Sequence, residues 1–176
     1  MTDLEQRHFD ILTRWRKAMD LVGPGPLEPH FEDAALAVGW LKDPQGLWAD
    51  LGSGAGFPGV ALAAHHPQLT VHLVESRRKR AQFLRQIKAG EVLCTRSEAL
   101  EDGVYDGVIS RAYRPPEEYL ADALRLLKPG GVAVLMLARQ EPPTVPGLEV
   151  FHVEHYAIED RPRQAVGYSK PRSPPS

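Results

Sequence analysis

The 176-residue sequence holds a single cysteine, Cys94, and no hydrophobic run that approaches a bilayer span. One thiol excludes an internal disulfide and suits a reducing cytosol; its apolar neighbours Val92 and Leu93 place Cys94 on a buried strand. The start MTDLEQRHFD lacks the basic head and apolar core of a secretory leader, so the expected location is cytoplasmic, with no membrane partner. Charge of one sign is also scarce. Lys and Arg number 21 against 23 Asp and Glu, a formal net charge of −2, so no global basic field announces a nucleic-acid partner. No internal repeat is visible and no metal is expected. The length suits one domain with a single sizeable core.

What the chain does have is alternation. Leu4, Phe9, Leu12, Trp15 and Met19 recur at helical spacing, predicting a helix from Leu4 to Leu21 that the GPGP turn at Gly23–Pro26 ends. A second helix is predicted over Glu32 to Leu41. LWADL then reads as a buried strand, followed by a glycine-rich loop and a helix from Pro58, a residue well suited to a first helical position, to His65. LTVHLVE, EVLCTR, YDGVISRA and GGVAVLMLA read as further strands, with helices SRRKRAQFLRQIKAG and EEYLADALRLLK between them. Strand–helix alternation of this kind predicts an α/β fold, a mostly parallel sheet with helices on both faces. After Ala138 it stops: RQEPPTVPG is too short and proline-rich for a crossover helix, and LEVFHVEHYAI with QAVGYSK predicts a closing antiparallel hairpin. The expected organisation is a helical extension over residues 1–45 packed on the core, a core domain over 46–170, and a disordered tail over 171–176.

DLGSGAGFPG, Asp50 to Gly59, carries the chemistry. The dinucleotide fingerprint G-x-G-x-x-G fails here, because Phe57 stands where its third glycine belongs. The spacing Asp50-x-Gly52-x-Gly54-x-Gly56 is instead similar to motif I of Rossmann-like class I S-adenosylmethionine-dependent methyltransferases. Glycines let backbone pass close to a ligand, and the following helix N-terminus suits a carboxylate such as that of a methionine moiety. Glu75, ending the second strand, is positioned to accept ribose hydroxyls, a role an acid plays toward NAD as well. Cofactor-binding candidates on this reading are Gly52, Ser53, Gly54, Gly56 and Glu75. Ser97 and Glu98, in the loop after the third strand, are candidates for the adenine edge.

DLGSGAGFPGVALA followed by VESRRKRAQFL resembles the RsmG (GidB) family, whose members methylate guanine N7 in the decoding-region loop of bacterial small-subunit (16S) rRNA. RWRKAMDL, PHFEDA, TRSEAL and YDGVISRAY resemble further segments of that family, spanning the chain from about Phe9 to Lys128; RPRQAVGYSK resembles its closing strand. The resemblance implies cofactor contacts at Gly52, Phe57, the Ser97–Glu98 pair and Arg111. It implies rRNA processing on a small-subunit rRNA or ribosomal particle, by a chain expected to be monomeric. Arg111 could pair with the cofactor carboxylate or with a substrate phosphate.

The chain also departs from the family. LARQ stands where the family carries K-G after the fifth strand, leaving Arg139 as the substitute for the lysine. Pro29 and Ala34 replace an arginine and a serine around His30 and Asp33, and the segments expected to touch RNA are abbreviated. A small-molecule acceptor, or S-adenosylmethionine binding without catalysis, therefore stays open. Guanine N7 offers an exposed lone pair, so its methylation requires alignment rather than a general base; no catalytic base is assigned. His30 and Asp33 are candidates for orienting the acceptor, with packing and capping roles open for both. SRRKR and the acid-free stretch with Arg161, Arg163, Lys170 and Arg172 are candidates for tracking phosphates.

Overall fold

The computed structural model describes residues 1–172; residues 173–176 of the expected tail lie outside the described residues. The elements are α1 (Asp3–Trp15), α2 (Glu28–Gly39), β1 (Leu47–Leu51), α3 (Gly59–His65), β2 (Thr70–Val74), α4 (Arg78–Ile87), β3 (Glu91–Leu93), β4 (Tyr105–Arg111), α5 (Pro116–Leu126), β5 (Leu127–Ala138), β6 (Glu149–Ile158) and β7 (Arg161–Ser169). They form one seven-stranded sheet in the order β3-β2-β1-β4-β5-β7-β6. The first five strands pair in parallel, and β7 inserts antiparallel between β5 and β6. The order reverses between β1 and β4, so their carboxyl ends open the crevice where open sheets of this kind take ligands.

Side-chain alternation along the strands builds two cores. Trp48, Val71, Leu73, Ile109, Val134 and Ala165 face α1 to α4. Ala49, Leu51, Val108, Leu135 and Val166 face α5. Continuous burial on both faces is why LWADL and GGVAVLMLA read as apolar runs.

Several boundaries differ from the sequence expectation. α1 stops at Trp15, six residues before Leu21, because the Trp15 carbonyl accepts from both Ala18 and Met19 in tight turns. Its start is fixed by Thr2, which exchanges hydrogen bonds with Glu5 in a capping box. α2 begins four residues earlier than expected, with Pro29 in its first turn, so His30 and Asp33 sit inside the helix. Pro58 caps α3 instead of entering it. Cys94 is exposed: β3 is a three-residue edge strand that ends at Leu93, so nothing buries the following side chain. Among the described residues, no helix is long and apolar enough to cross a membrane.

Candidate functional site

The loop after β1 is tied from within. Ser53 N–H donates to Val74 O at 3.0 Å, Ser53 Oγ to Asp50 O at 3.0 Å, and Gly56 N–H to Ser53 O at 2.7 Å. The Ser53 hydroxyl is thereby spent on closing the loop. Gly52 and Gly56 have φ of +68° and +99°, which side-chain-bearing residues rarely adopt. A Cβ at Gly52 would lie 2.4 Å from the Tyr113 ring, and one at Gly56 would lie 2.7 Å from His8 Nε2. Gly54 N–H donates to Glu75 Oε2 at 3.0 Å and Arg77 N–H to Oε1 at 2.9 Å.

Glu75 is only 5% exposed, yet it borders a cavity of about 280 Å³ with Gly52, Ser76, Arg96, Ser97 and Tyr113. Two backbone donors fix its carboxylate, and each oxygen keeps a further lone pair for a ligand hydroxyl. That geometry fits a ribose diol. Ser97 lines the same cavity, its Oγ accepting from Tyr113 Oη at 2.7 Å. Glu98 does not line it. Its side chain is 56% exposed and ion-paired with Arg114, whose hydrogen bond holds the carboxyl below its ordinary range. Arg114 also bonds Asp122 at 3.0 Å, which fixes it in the cavity wall.

A second cavity of about 220 Å³ adjoins the first through Ala112 and Arg114. Asp33, Arg111, Met136 and Arg163 line it. Arg111 sits over the Phe57 ring at 4.9 Å and approaches Asp33 Oδ2 at 3.4 Å, while Tyr156 Oη donates to Asp33 Oδ1 at 2.8 Å. Phe57 is 3% exposed and its ring lies within a cluster with Phe31, His8 and His30. The Phe57 side chain thus carries Arg111 and does not line either cavity. His30 stacks on Phe57 at 5.7 Å and lines neither cavity. Arg139 is exposed and lies just past Ala138, outside the lining.

Two buried titratable groups flank the loop. Asp50 is fully buried, with Oδ2 accepting from Gly59 N–H at 3.0 Å and Oδ1 without a partner; burial pushes its carboxyl up to about 7. His8 bonds Ala55 O at 2.7 Å, and burial pushes its ring down to about 4. The neutral His8 of the fold stabilises above pH 6.5, and that contribution is lost as pH falls toward 4. Asp50 has the opposite sign: its contribution is present below about pH 4 and is lost as pH rises through 7. The two windows overlap and offset each other. Asp50→Asn should remove the opposing contribution, making the variant lose about 3 kcal/mol more than the parent between pH 7 and 4. Thermal melts of both proteins across that range measure it; parallel curves would refute the assignment.

Residues 2–145 match the family described as rRNA small subunit methyltransferase G (GidB). The chain belongs to that family. Similar family members include ribosomal RNA small subunit methyltransferase G of Paracoccus denitrificans, 34% identical over 73% of this chain and 72% of that one. The same enzyme of Erythrobacter litoralis is 32% identical over 88% and 82% of the two chains. That of Halorhodospira halophila is 34% identical, and the match covers 65% of its length. The fold is similar to that of TrmN from Thermus thermophilus, with a TM-score of 0.59, 19% identity, and coverage of 85% of this chain and 55% of that one. It is also similar to a protein from Agrobacterium tumefaciens described as a predicted O-methyltransferase, with a TM-score of 0.60, 25% identity, and coverage of 78% and 80%.

Within this family fold, the sequence reading missed Tyr113 and Arg114 as residues at the cavities and gave Arg163 only as a candidate for tracking phosphates. Tyr113 and Arg114 directly follow the SRA segment, a positional signal that was available. Arg163 had none beyond its charge: it reaches the second cavity because β7 pairs Arg163 with Ala138 at the end of β5. His8 was also missed, since a helix residue 47 positions before Ala55 carries no local mark of that contact.

Proposed function

We propose that this chain is an S-adenosylmethionine-dependent methyltransferase that modifies guanine N7 in small-subunit rRNA. The observation that carries the reading is the pair of adjoining cavities at the carboxyl edge of the sheet, one bordered by Glu75 and the other by Arg111 and Asp33. S-adenosylmethionine supplies an electrophilic methyl group on a sulfonium. Glu75 accepts the ribose hydroxyls, and Ser97 with Arg96 flanks the adenine. Arg111, held over Phe57, anchors an anionic group between the cavities. Asp33 and the apolar wall of Leu135 and Met136 orient the acceptor base and exclude water. The N7 lone pair needs no proton removed, so alignment does most of the work. Arg77, Arg80 and Arg96 at the rim of the first cavity suit the phosphates of a bound RNA. The chain acts as a monomer in the cytoplasm on ribosomal RNA.

Purified protein is tested with S-adenosylmethionine against free small-subunit rRNA, small ribosomal subunits and a metabolite panel. N7-methylguanine in the nuclease digest of either RNA substrate is the expected product. Methylation of metabolites alone would move the reading to a small-molecule enzyme, and cofactor binding without transfer to a non-catalytic role. Calorimetric titration should show binding of S-adenosylmethionine and none of NADH, since Phe57 stands in place of the third dinucleotide glycine. Tight NADH binding without a response to S-adenosylmethionine would overturn the cofactor assignment.

A further inference from the structure

We propose that a groove at the amino edge of the sheet is a second RNA-contacting surface, where an unpaired base of the substrate stacks on Phe151 and its neighbouring phosphates meet Lys42 and Arg172. The inference rests on the rRNA reading above and concerns a different part of the molecule. The groove has a volume of about 810 Å³, larger than either cavity at the carboxyl edge. It borders the loop before β1 and the starts of β4 and β5, at Gln45, Asp106 and Lys128. Strands of five to seven residues separate it from Glu75 and Arg111 by about 17–23 Å, at a rise of about 3.3 Å per residue. A single RNA strand spans that distance in a few nucleotides.

Its wall is aromatic. Trp40 stacks on His152 with ring centres 4.3 Å apart and meets Phe151 edge-on at 5.9 Å. Gly167 makes the stack possible, because a Cβ there would lie 2.6 Å from the Trp40 ring. Phe151 is nevertheless 52% exposed, with Val150 beside it also open to solvent. An exposed aromatic face on a sequence-tolerant wall is the part of single-strand recognition that stacks a base.

Charge decides the class of occupant. Lys42, Lys128 and Arg172 line the groove with Asp43 and Asp106. Asp106 is committed within the fold, accepting from Leu47 N–H at 2.8 Å and pairing with Lys128 at 3.3 Å. Asp43 accepts from the Gln45 amide at 2.8 Å. Among the described residues, Lys42 and Arg172 form no ion pair. Two open cations beside an open aromatic ring suit a polyanion with flat bases better than an apolar protein surface.

The triple variant Lys42→Ala, Phe151→Ala, Arg172→Ala removes only exposed groups, and a thermal melt verifies that it folds. Its KM for free small-subunit rRNA should rise at least about tenfold, the effect of losing one stacked base, with kcat and the dissociation constant for S-adenosylmethionine unchanged. Phe151→Tyr alone should retain the parent KM. Ultraviolet crosslinking of the parent to the same rRNA should label the peptide containing Phe151 and His152. An unchanged KM in a parent that methylates rRNA would overturn the groove and leave the methyltransferase standing. A parent inactive on rRNA would overturn the function first, and the groove with it. A KM effect on assembled subunits but not on free rRNA would overturn the RNA assignment in favour of a protein partner.

Discussion

In a strain lacking this gene, a plasmid copy should restore one N7-methylguanine to the small-subunit rRNA, and an Arg111→Ala copy should not. Arg111 lies over Phe57, faces Asp33 and lines the second cavity at once. Removing it takes away a charged hydrogen-bond donor of the kind worth about 1.5–3 kcal/mol, or about a 10- to 150-fold loss in occupancy of the reactive arrangement. The fold should persist, because Tyr156 still holds Asp33 and the β4 backbone pairing does not involve the side chain. Arg111→Lys should restore the mark only partly. Lysine keeps the charge but loses the planar group that lies on the Phe57 ring. Mass spectrometry of digested rRNA from the deletion strain and its complemented derivatives reads the result. A mark restored in full by Arg111→Ala would remove Arg111 from the site, and an unchanged profile in the deletion strain would redirect the search to another acceptor.

Glu75→Ala should weaken S-adenosylmethionine binding by about 1–3 kcal/mol, the cost of deleting hydrogen bonds to a charged acceptor. Glu75→Gln should do little better, which separates this carboxylate from a generic negative charge. Both Glu75 oxygens accept from backbone N–H groups, so an amide nitrogen placed at either position would face a donor with another donor. Neither substitution reaches the two hydrophobic cores, so melting temperatures should stay close to the parent's. Calorimetry on the parent and both variants tests this. Parent-like affinity in Glu75→Ala would remove the ribose role.

Much of this protein was legible in its residues. LWADL marked β1 because a strand buried on both faces is mostly apolar, Asp50 being its one polar residue, and the glycines after it marked a turn that side chains would block. Those two local facts, with Glu75 at the end of the next strand, pointed to the crevice at the carboxyl edge of the sheet and to the family. The proline-rich break after Ala138 likewise foretold the antiparallel hairpin, though not that β7 would slip between β5 and β6.

The rest was decided only when distant segments met. Ser53 and Phe57 share the glycine loop with the cavity-facing Gly52, yet their side chains turn inward, one to tie the loop and the other to support Arg111. Ser97 and Glu98 are adjacent, and only Ser97 reaches the cavity because Arg114 draws Glu98 outward. Asp33 meets Arg111 across 78 positions and Tyr156 across 123. Sequence patterns report what a residue needs from its immediate neighbours: an apolar face, a permissive backbone angle, a cap. Which ionic and aromatic groups converge on one cavity depends on the order in which the strands pair, and that order is set by burial summed over the whole sheet.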